Sequence, residues 1–206
     1  MNYFISDLHF FCKSQIDNGG MNYDGRPFKT LEEMHERILT RWNKKVTNGD
    51  TVYILGDIGM RGRNDLLIAL VAQLKGRKVL IRGNHDDISD YRFKQLFSEI
   101  YDYKELAESF SGKSYKLVLS HYPILMWNGQ HKGSILLYGH THVTKEDDYY
   151  QKCLDGMKNQ FFESRDGSNV LLAINVGCMM PYMDYEPRSL RELLIAKSNQ
   201  IGRTEP

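Results

Sequence analysis

The 206-residue chain contains little cysteine, no long apolar run and almost no net charge. Its three cysteines cannot all pair and form no Cys-x-x-Cys motif, which favours a reduced compartment over secretion. No segment approaches the roughly 18 uninterrupted apolar residues of a membrane span, and the first residues lack the basic stretch of a signal peptide. A net charge of +1 gives no general attraction to nucleic acid or to an anionic membrane. We therefore expect a cytoplasmic protein without a membrane or extended duplex nucleic acid as its partner.

The chain is rich in alternating strand and helix patterns. Hydrophobic residues make up 41% of it, enough for the core of one domain, and no repeat or Pro/Gly/Ser-rich linker divides it. Apolar runs predict strands at 2–6, 51–55, 78–82, 115–120, 134–139 and 169–176. Helical spacing and capping pairs predict helices at 31–45, 65–74, 90–98 and 190 to about 197. The βαβαβ order of the first half favours parallel strands, whereas the second half is strand-rich with short connections.

Polar side chains follow five of these strands in succession. In strand order they are Asp7 with His9, Asp57, Asn84 with His85 and Asp86, His121, and His140 with His142. In open α/β sheets, sites assemble in the crevice beyond the carboxyl ends of the strands. We therefore expect these side chains to belong to one shared site.

Each of these residues also has an ordinary structural explanation. An Asp after a strand is commonly a turn or helix cap, a single His is commonly satisfied within the fold, and Asn84 tolerates left-handed backbone. Tight turns explain Gly56, Gly83 and Gly139. These structural explanations would have to apply separately to the polar residues after each of the five strands. A single metal centre explains the residues after all five strands together.

The residue types narrow the choice of metal. Imidazole, carboxylate and one amide oxygen, without cysteine, argue against a structural zinc site and suit Mn²⁺, Fe²⁺, Co²⁺, Ni²⁺ or Zn²⁺. Two carboxylates, four histidines and one amide are too many ligands for a single tetrahedral ion. They suit two divalent ions, with Mn²⁺ as first candidate, about 3.5–4 Å apart and sharing a bridging carboxylate.

The ordered motifs Asp-x-His, Gly-Asp, Gly-Asn-His-Asp, His and Gly-His-x-His resemble those of the calcineurin-like metallophosphoesterase superfamily, from Asp7 to His142. The ending "NVGC…YEPRSL" is similar to small bacterial and phage phosphoesterases. The resemblance implies an α/β fold over the whole chain as a single domain, a four-layer αββα sandwich of two mixed β-sheets flanked by helices. It places a dinuclear site at the strand ends.

The resemblance also implies a role for each motif residue. One ion would be held by Asp7, His9 and His142, the other by Asn84, His121 and His140, with Asp57 bridging. His85 would face the substrate as a candidate general acid, a role suited to imidazole, which titrates near physiological pH. Asp86, a further candidate catalytic residue, either orients His85 or hydrogen-bonds local backbone.

Two departures from the family pattern are visible. Many relatives carry Gly-Asp-x-x-Asp-Arg-Gly, and here Met60 replaces the carboxylate that supports the catalytic His in some branches. Arg61 remains at the position that contacts phosphate in the phosphatase branch, with a solvated loop arginine as the alternative. The apolar pair Phe10-Phe11 and Cys12 after the first motif predict an apolar wall beside the metals.

Other residues are candidates for a substrate pocket or a regulatory segment. Tyr122, Trp127 and His131 lie between two ligand-bearing strands and would line the pocket, with core packing the alternative for Trp127 and a surface loop for His131. The segment 144–168 is long for a structureless connection. It predicts a lid or homodimer contact, or an insertion with its own hairpin or helix.

The sequence thus predicts a dinuclear metal-dependent phosphoesterase. By the resemblance, a metal-bound hydroxide attacks phosphorus, Arg61 and the metals stabilise the charge, and His85 protonates the leaving group. The expected substrate is a small phosphodiester or phosphomonoester, with a nucleotide among the candidates. A nuclease for short single-stranded ends is an alternative, since no basic stripe suits a duplex. A catalytically silent scaffold is the competing hypothesis, although every ligand position and His85 are present.

Overall fold

The computed structural model describes residues 1–16, 22–61, 63–161 and 171–201. Its strands are β1 Asn2–Ile5, β2 Thr51–Ile54, β3 Arg77–Ile81, β4 Glu99–Tyr101, β5 Tyr103–Phe110, β6 Lys113–Ser120, β7 Ile135–Tyr138 and β8 Leu172–Asn175. Its α-helices are α1 Leu31–Lys45, α2 Asn64–Val71, α3 Tyr91–Lys94, α4 Lys145–Phe161 and α5 Leu190–Ile201. Short 3₁₀ helices span Lys13–Gln15 and Gln130–Lys132.

The strands form two four-stranded sheets. The first has the order β1-β2-β3-β4 with parallel pairing throughout. The second has the order β5-β6-β7-β8, with an antiparallel β5–β6 hairpin followed by parallel pairs. An isolated antiparallel bridge pairs Phe4 with Arg188, and a parallel bridge links Ser6 to Gly177 beyond β8. The predicted two-sheet α/β architecture is confirmed. Among the described residues, that one bridge is the antiparallel pairing at the otherwise parallel first sheet.

The two sheets share one hydrophobic core. Ile54 and Leu80 of the first sheet lie in the same buried cluster as Leu117, Leu119 and Leu137 of the second. Because successive strand residues point to opposite faces, Val118, between Leu117 and Leu119, points to the outer face of the second sheet. Helix α4 covers this outer face of the second sheet with residues of a separate buried cluster. Burial on both faces holds the strand ends rigidly, which is what a precise site requires.

Each predicted helix is present in the structure, but two of them are shorter than predicted. The one predicted at 65–74 is α2, which ends at Val71. Helix α1 occupies the predicted 31–45, and the Thr30 hydroxyl accepts the Glu33 N–H at 3.1 Å as the capping pair predicts. Ser189 and Glu192 cap α5 in the same way. The helix predicted at 90–98 was wrong in extent: α3 ends at Lys94, and a turn then leads to β4. The short strand β4 extends the first sheet by pairing with β3, which outweighs helix propensity there.

The described part of the segment 144–168 is helix α4, the helical alternative among those predicted. Tyr150 and Leu154 belong to the buried cluster on the outer face of the second sheet, while Tyr149 is exposed. Phe162 and the rest of the segment lie outside the described residues. The lid and homodimer functions stay predictions. Within the described ranges, no helix is both long and apolar enough to cross a membrane, and the compartment also stays a prediction.

Candidate metal centre

The polar residues at the strand ends meet in two adjacent groups. Asp7, His9 and His142 place one potential ligand atom each within 4.8 Å of one another, and Asp57, His121 and His140 do the same. Five of these six residues are buried, and His140 is partly exposed. The strand-end residues that the sequence singled out are therefore brought together by the fold.

Asp57 lies between the two groups. Its Oδ2 atom is 3.6 Å from Nε2 of His9 and 3.6 Å from Nε2 of His121. One carboxylate oxygen thus faces an imidazole of each group. This is the arrangement that a bridging carboxylate requires.

Asn84 completes the second group through its side-chain oxygen. Oδ1 of Asn84 is 3.0 Å from Nε2 of His121 and 3.0 Å from Nδ1 of His140. The amide oxygen of Asn84, predicted as a metal ligand, therefore points between the two imidazoles rather than into a turn.

The backbone of these residues is held in an uncommon conformation. Positive φ angles occur at Asp7 (55°), His9 (50°), Asp57 (54°), His140 (72°) and His142 (51°). Left-handed backbone costs a non-glycine residue about 1–3 kcal/mol and persists only when surrounding contacts impose it. Here the Asp7 carboxylate accepts the His140 N–H at 3.1 Å, and the Asp57 carbonyl accepts the His9 N–H at 3.0 Å. Strain is therefore concentrated at the candidate site.

Gly83 and Gly139 provide clearance rather than tight turns. A Cβ atom at Gly83 would collide with the Asp57 carboxylate, and one at Gly139 with the side chains of Ser6 and Asp7. Neither glycine has positive φ. The turn explanation for these two positions is therefore replaced by close packing against candidate ligands.

The tautomer of His121 follows from its hydrogen bond to the backbone. Nδ1 lies 2.8 Å from the Leu55 carbonyl, which can only accept, so Nδ1 carries the hydrogen. In the neutral ring Nε2 then has a lone pair, and it faces two acceptors, Oδ1 of Asn84 at 3.0 Å and Oδ2 of Asp57 at 3.6 Å. Converging lone pairs repel unless a cation lies among them. These nitrogen and oxygen atoms therefore suit a divalent cation as its ligands.

In the first group, Nδ1 of His142 lies 2.7 Å from the Asp24 carboxylate, which places the hydrogen of the neutral ring on Nδ1 and the lone pair on Nε2. This Nε2 lies 3.0 Å from Nε2 of His9 and 3.7 Å from Oδ1 of Asp7. Burial, with the nearby Arg26 charge, lowers the pKa of His9 well below its ordinary value. Burial likewise lowers the pKa of His140. Neutral imidazoles beside carboxylates are the ligand form that divalent metals need.

Comparison with known proteins agrees with this geometry. The family model described as calcineurin-like phosphoesterase matches residues 3–172. The chain belongs to the calcineurin-like phosphoesterase family. The match covers the first sheet, both ligand groups and the start of β8.

Relatives of this phosphoesterase family member include archaeal and phage proteins. An uncharacterised protein of Methanocaldococcus jannaschii is 33% identical over 148 residues, covering 71% of this chain and 72% of that protein. The gene 66 protein of Mycobacterium phage D29 is 33% identical over 163 residues, covering 68% and 77%. A crystal structure of an Aquifex aeolicus protein of unknown function has a TM-score of 0.61 at 27% identity, covering 96% of this chain and 98% of that one.

The histidine of the family's Gly-Asn-His motif lies beside the two groups without joining either. His85 is exposed, and its ring centroid is 5.4 Å from that of His9. Its backbone N–H donates to Oδ1 of Asp57 at 2.9 Å. The candidate general acid is thus anchored to the candidate bridging carboxylate through its main chain.

Asp86 supports the backbone rather than His85. Its buried carboxylate accepts the N–H groups of Asp57 at 3.0 Å, Ile58 at 3.0 Å and Gly83 at 2.8 Å. Three such bonds fix the loops after β2 and β3 to each other. We therefore reassign Asp86 from the candidate catalytic residues to those that position the site.

Arg61 lies at the rim of the site. Its Nη2 donates to the carbonyl of Asn84 at 2.7 Å, and its side chain lines a cleft with Arg82 and Tyr122. Met60, at the position of the missing carboxylate, is 47% exposed. Arg61 is thus attached to the loop of a candidate ligand at the edge of the site.

The apolar residues after the first motif serve packing. Phe10 is buried in the main core, and the ring of Phe11 packs on His35 of α1 with centroids 4.5 Å apart. The His35 ring also accepts the Phe11 N–H at 3.0 Å. The predicted apolar wall beside the metals is therefore corrected to a contact between this segment and helix α1.

The three predicted pocket residues have different locations. Tyr122 is 48% exposed, with its ring 4.6 Å from that of His140 and 5.0 Å from that of His121. Trp127 is buried among the residues under α4, and its indole N–H donates to the Ser134 carbonyl at 3.1 Å. Its assignment to the pocket was wrong, and the core alternative holds. His131 is exposed in the second 3₁₀ helix and belongs to neither ligand group.

The sequence analysis missed two buried charges that contact the first group. Arg26 has no exposed surface, and its Nε lies 3.1 and 3.0 Å from the carboxylate oxygens of Asp24. Although burial opposes ionisation of Asp24, hydrogen bonding to His142 and the Arg26 charge hold its pKa below the ordinary value. The feature of the sequence that indicates this buried pair is two opposite charges in the segment "YDGRPF", which is bounded by aromatic residues.

A second buried network holds the loop that carries His140 and His142. Oδ1 of Asp147 accepts the Tyr138 hydroxyl at 2.7 Å, the Thr141 hydroxyl at 2.8 Å and the Asn175 amide at 2.9 Å. The same amide donates to the His142 carbonyl at 3.1 Å. Helix α4 therefore contributes Asp147 to the support of the candidate ligands.

Proposed function

We propose that this chain is a dinuclear metal-dependent phosphoesterase that hydrolyses a small phosphodiester or phosphomonoester. The observation that carries the proposal is the position of Asp57 Oδ2, 3.6 Å from an imidazole nitrogen in each group. Membership of the calcineurin-like phosphoesterase family supports the same chemistry.

The residues divide naturally between two ions, with Mn²⁺ as the first candidate. Asp7, His9 and His142 would hold one ion, Asn84, His121 and His140 the other, and Asp57 would contact both. When bound, such a pair polarises the phosphoryl oxygens and activates water for in-line displacement.

The protein's own contribution to bond cleavage is assigned to His85. Its exposed ring stands beside the first group, and its main chain is fixed to Asp57. From this position the imidazole would donate a proton to the leaving oxygen, a contribution worth roughly 10²–10⁴ in rate. Asp86 holds the loop that presents it.

The surroundings favour an anionic substrate with an aromatic group. Arg61 and Arg82 line a cleft beside Asn84, and their guanidinium groups suit phosphate oxygens. Tyr122 stands exposed at His140, and Tyr23, 54% exposed, stands at His142 with ring centroids 5.3 Å apart. Exposed tyrosines on both sides of the centre could stack on a planar group such as a nucleobase. A nucleotide or a short single-stranded end therefore heads the candidates.

The proposal is tested with metal-free protein reloaded with Mn²⁺ and assayed on bis-p-nitrophenyl phosphate and p-nitrophenyl phosphate. We expect metal-dependent release, and the ratio of the two rates reports diester or monoester preference. Absence of release with Mn²⁺, Fe²⁺, Co²⁺, Ni²⁺ or Zn²⁺, although two ions are bound, would favour the scaffold hypothesis.

The role of His85 has its own comparison. His85→Ala is expected to retain both ions and to lose about 10²–10⁴ in turnover. The loss should be greater for an alkyl phosphate than for an aryl phosphate, because the poorer leaving group needs the proton more. Equal losses on both substrates would contradict the general-acid assignment.

A further inference from the structure

Arg26 is a fully buried cation that the proposed reaction does not use. Its guanidinium donates from Nε to the Asp24 carboxylate, from Nη1 to the Leu8 carbonyl at 3.1 Å and from Nη2 to the Asp7 carbonyl at 2.7 Å. Burying a guanidinium is costly unless its donors are satisfied, and an apolar side chain would fill the same space at lower cost. Core packing alone therefore does not account for Arg26.

The two carbonyls that Arg26 binds belong to the loop of the first ligand group. Asp7 and His9 both have positive φ, and Leu8 lies between them. The Asp7 carbonyl also receives the thiol of Cys178 at 3.1 Å. The guanidinium thus ties down the peptide groups that place two candidate ligands in a strained conformation.

Asp24 connects the same cation to the third ligand of the group. Its Oδ2 atom is 3.0 Å from Nε of Arg26 and 2.7 Å from Nδ1 of His142, and neither the Asp24 nor the Arg26 side chain is exposed. A carboxylate at Nδ1 requires the hydrogen on that nitrogen and leaves Nε2 free to bind a cation. When a carboxylate that holds a metal-binding histidine in this way is lost, metal affinity typically falls 10–100-fold.

We propose that Asp24 and Arg26 are a positioning pair for the first metal-binding group. Asp24 sets the tautomer and the ring orientation of His142, and Arg26 holds both Asp24 and the Asp7–His9 loop. The pair bonds directly to Asp7 and His142 and reaches His9 through the carbonyl of its neighbour Leu8, whereas none of its hydrogen bonds goes to His121, His140 or Asn84. The proposal rests on the proposed function only in taking this group to bind a divalent ion.

The affinity test isolates each group in a single-site background. His140→Ala weakens the second group, so Mn²⁺ titration by calorimetry then reports the first. Adding Asp24→Ala should lower that affinity 10–100-fold, and Asp24→Asn, which keeps a neutral acceptor, should restore part of it. In a His9→Ala background, which leaves the second group intact, Asp24→Ala should leave the affinity unchanged.

The outcomes separate positioning from general loosening of the fold. Equal loss in both backgrounds, or no loss in either, would overturn the proposal. Glu192→Ala is the matched control, because Glu192 forms a carboxylate–cation pair with Lys45 at 2.6 Å outside the site. Its Mn²⁺ affinity should equal that of the unsubstituted protein.

A measurement on the metal-free protein tests the positioning of His142 separately from the proposed function. ¹⁵N spectra of histidine-labelled, metal-free protein report which ring nitrogen of His142 carries the hydrogen, with His142→Gln used for assignment. We expect the hydrogen on Nδ1 in the unsubstituted protein, and loss of that preference in Asp24→Ala. Failure to bind Mn²⁺, Fe²⁺, Co²⁺, Ni²⁺ and Zn²⁺ alike, together with this change, would refute the proposed function and uphold the positioning of His142. An unchanged spectrum would refute the positioning.

Discussion

The side-chain oxygen of Asn84 lies 3.0 Å from Nε2 of His121, although both atoms are acceptors when the ring is neutral. The Asp57 carboxylate adds a third acceptor at 3.6 Å from the same nitrogen. With a neutral ring, such an arrangement is unfavourable in the absence of a cation, and Asp57 takes part in it with left-handed backbone. The metal-free protein should therefore be less stable than the loaded one.

Metal binding should raise the melting temperature. An ion at 100 times its Kd stabilises a single site by about 2.7 kcal/mol, which corresponds to about 5–10 °C for a domain of this size. Thermal unfolding measured with chelator and with Mn²⁺ checks this. His121→Ala should show a smaller shift because one group is impaired, and identical curves with and without every candidate metal would count against a metal centre.

Replacement of the shared carboxylate should affect both groups. Asp57→Asn keeps the shape of the side chain but removes the charge that balances two cations, so we expect loss of activity and of at least one ion. Metal content by atomic emission and turnover of bis-p-nitrophenyl phosphate provide the measurements. Retained activity with two ions bound would contradict the bridging role, and Asp65→Asn, at an exposed ion pair with Arg92 away from the site, is the control.

Parts of the fold and of the site were predictable because they depend on local pattern and on a general rule. Periodicity located α1, and the parallel strands of the first sheet bring their carboxyl ends to one edge, which unites the loops of His9, Asp57 and His85. The approach of His121, which follows a strand of the second sheet, depends instead on how the two sheets pack. Asp24 and Arg26 escaped prediction because nothing in their spacing links a loop to distant strand ends. Trp127 was misplaced because the side of the sheet on which a loop aromatic lies is decided by tertiary packing against α4.

The clearance at Gly83 leads to a prediction about a single methyl group. In Gly83→Ala the new Cβ would collide with the Asp57 carboxylate, so we expect weakened metal binding and at least a tenfold loss of turnover. Gly156→Ala is the matched control, because its Cβ would meet nothing within 4 Å and the position is helical. That change should stabilise the protein by about 0.5–1 kcal/mol. Wild-type metal content and rates in Gly83→Ala would show that the Asp57 loop can move aside.

Tyr122 and Trp127 should differ in which measurement their replacement changes. Tyr122→Ala removes an exposed ring beside His140, so we expect a raised KM for aromatic phosphodiesters with the Tm within about 2 °C of wild type. Trp127→Ala empties part of the core under α4 and should cost about 3–5 kcal/mol of unfolding free energy, with KM unchanged for the folded fraction. Kinetics on aryl and methyl phosphodiesters, beside urea unfolding of both variants, separate the two.

Because Tyr122→Phe preserves the stacking face, it should behave as wild type. An equal KM increase for aryl and methyl esters in Tyr122→Ala would indicate that the ring orients His140 rather than the substrate.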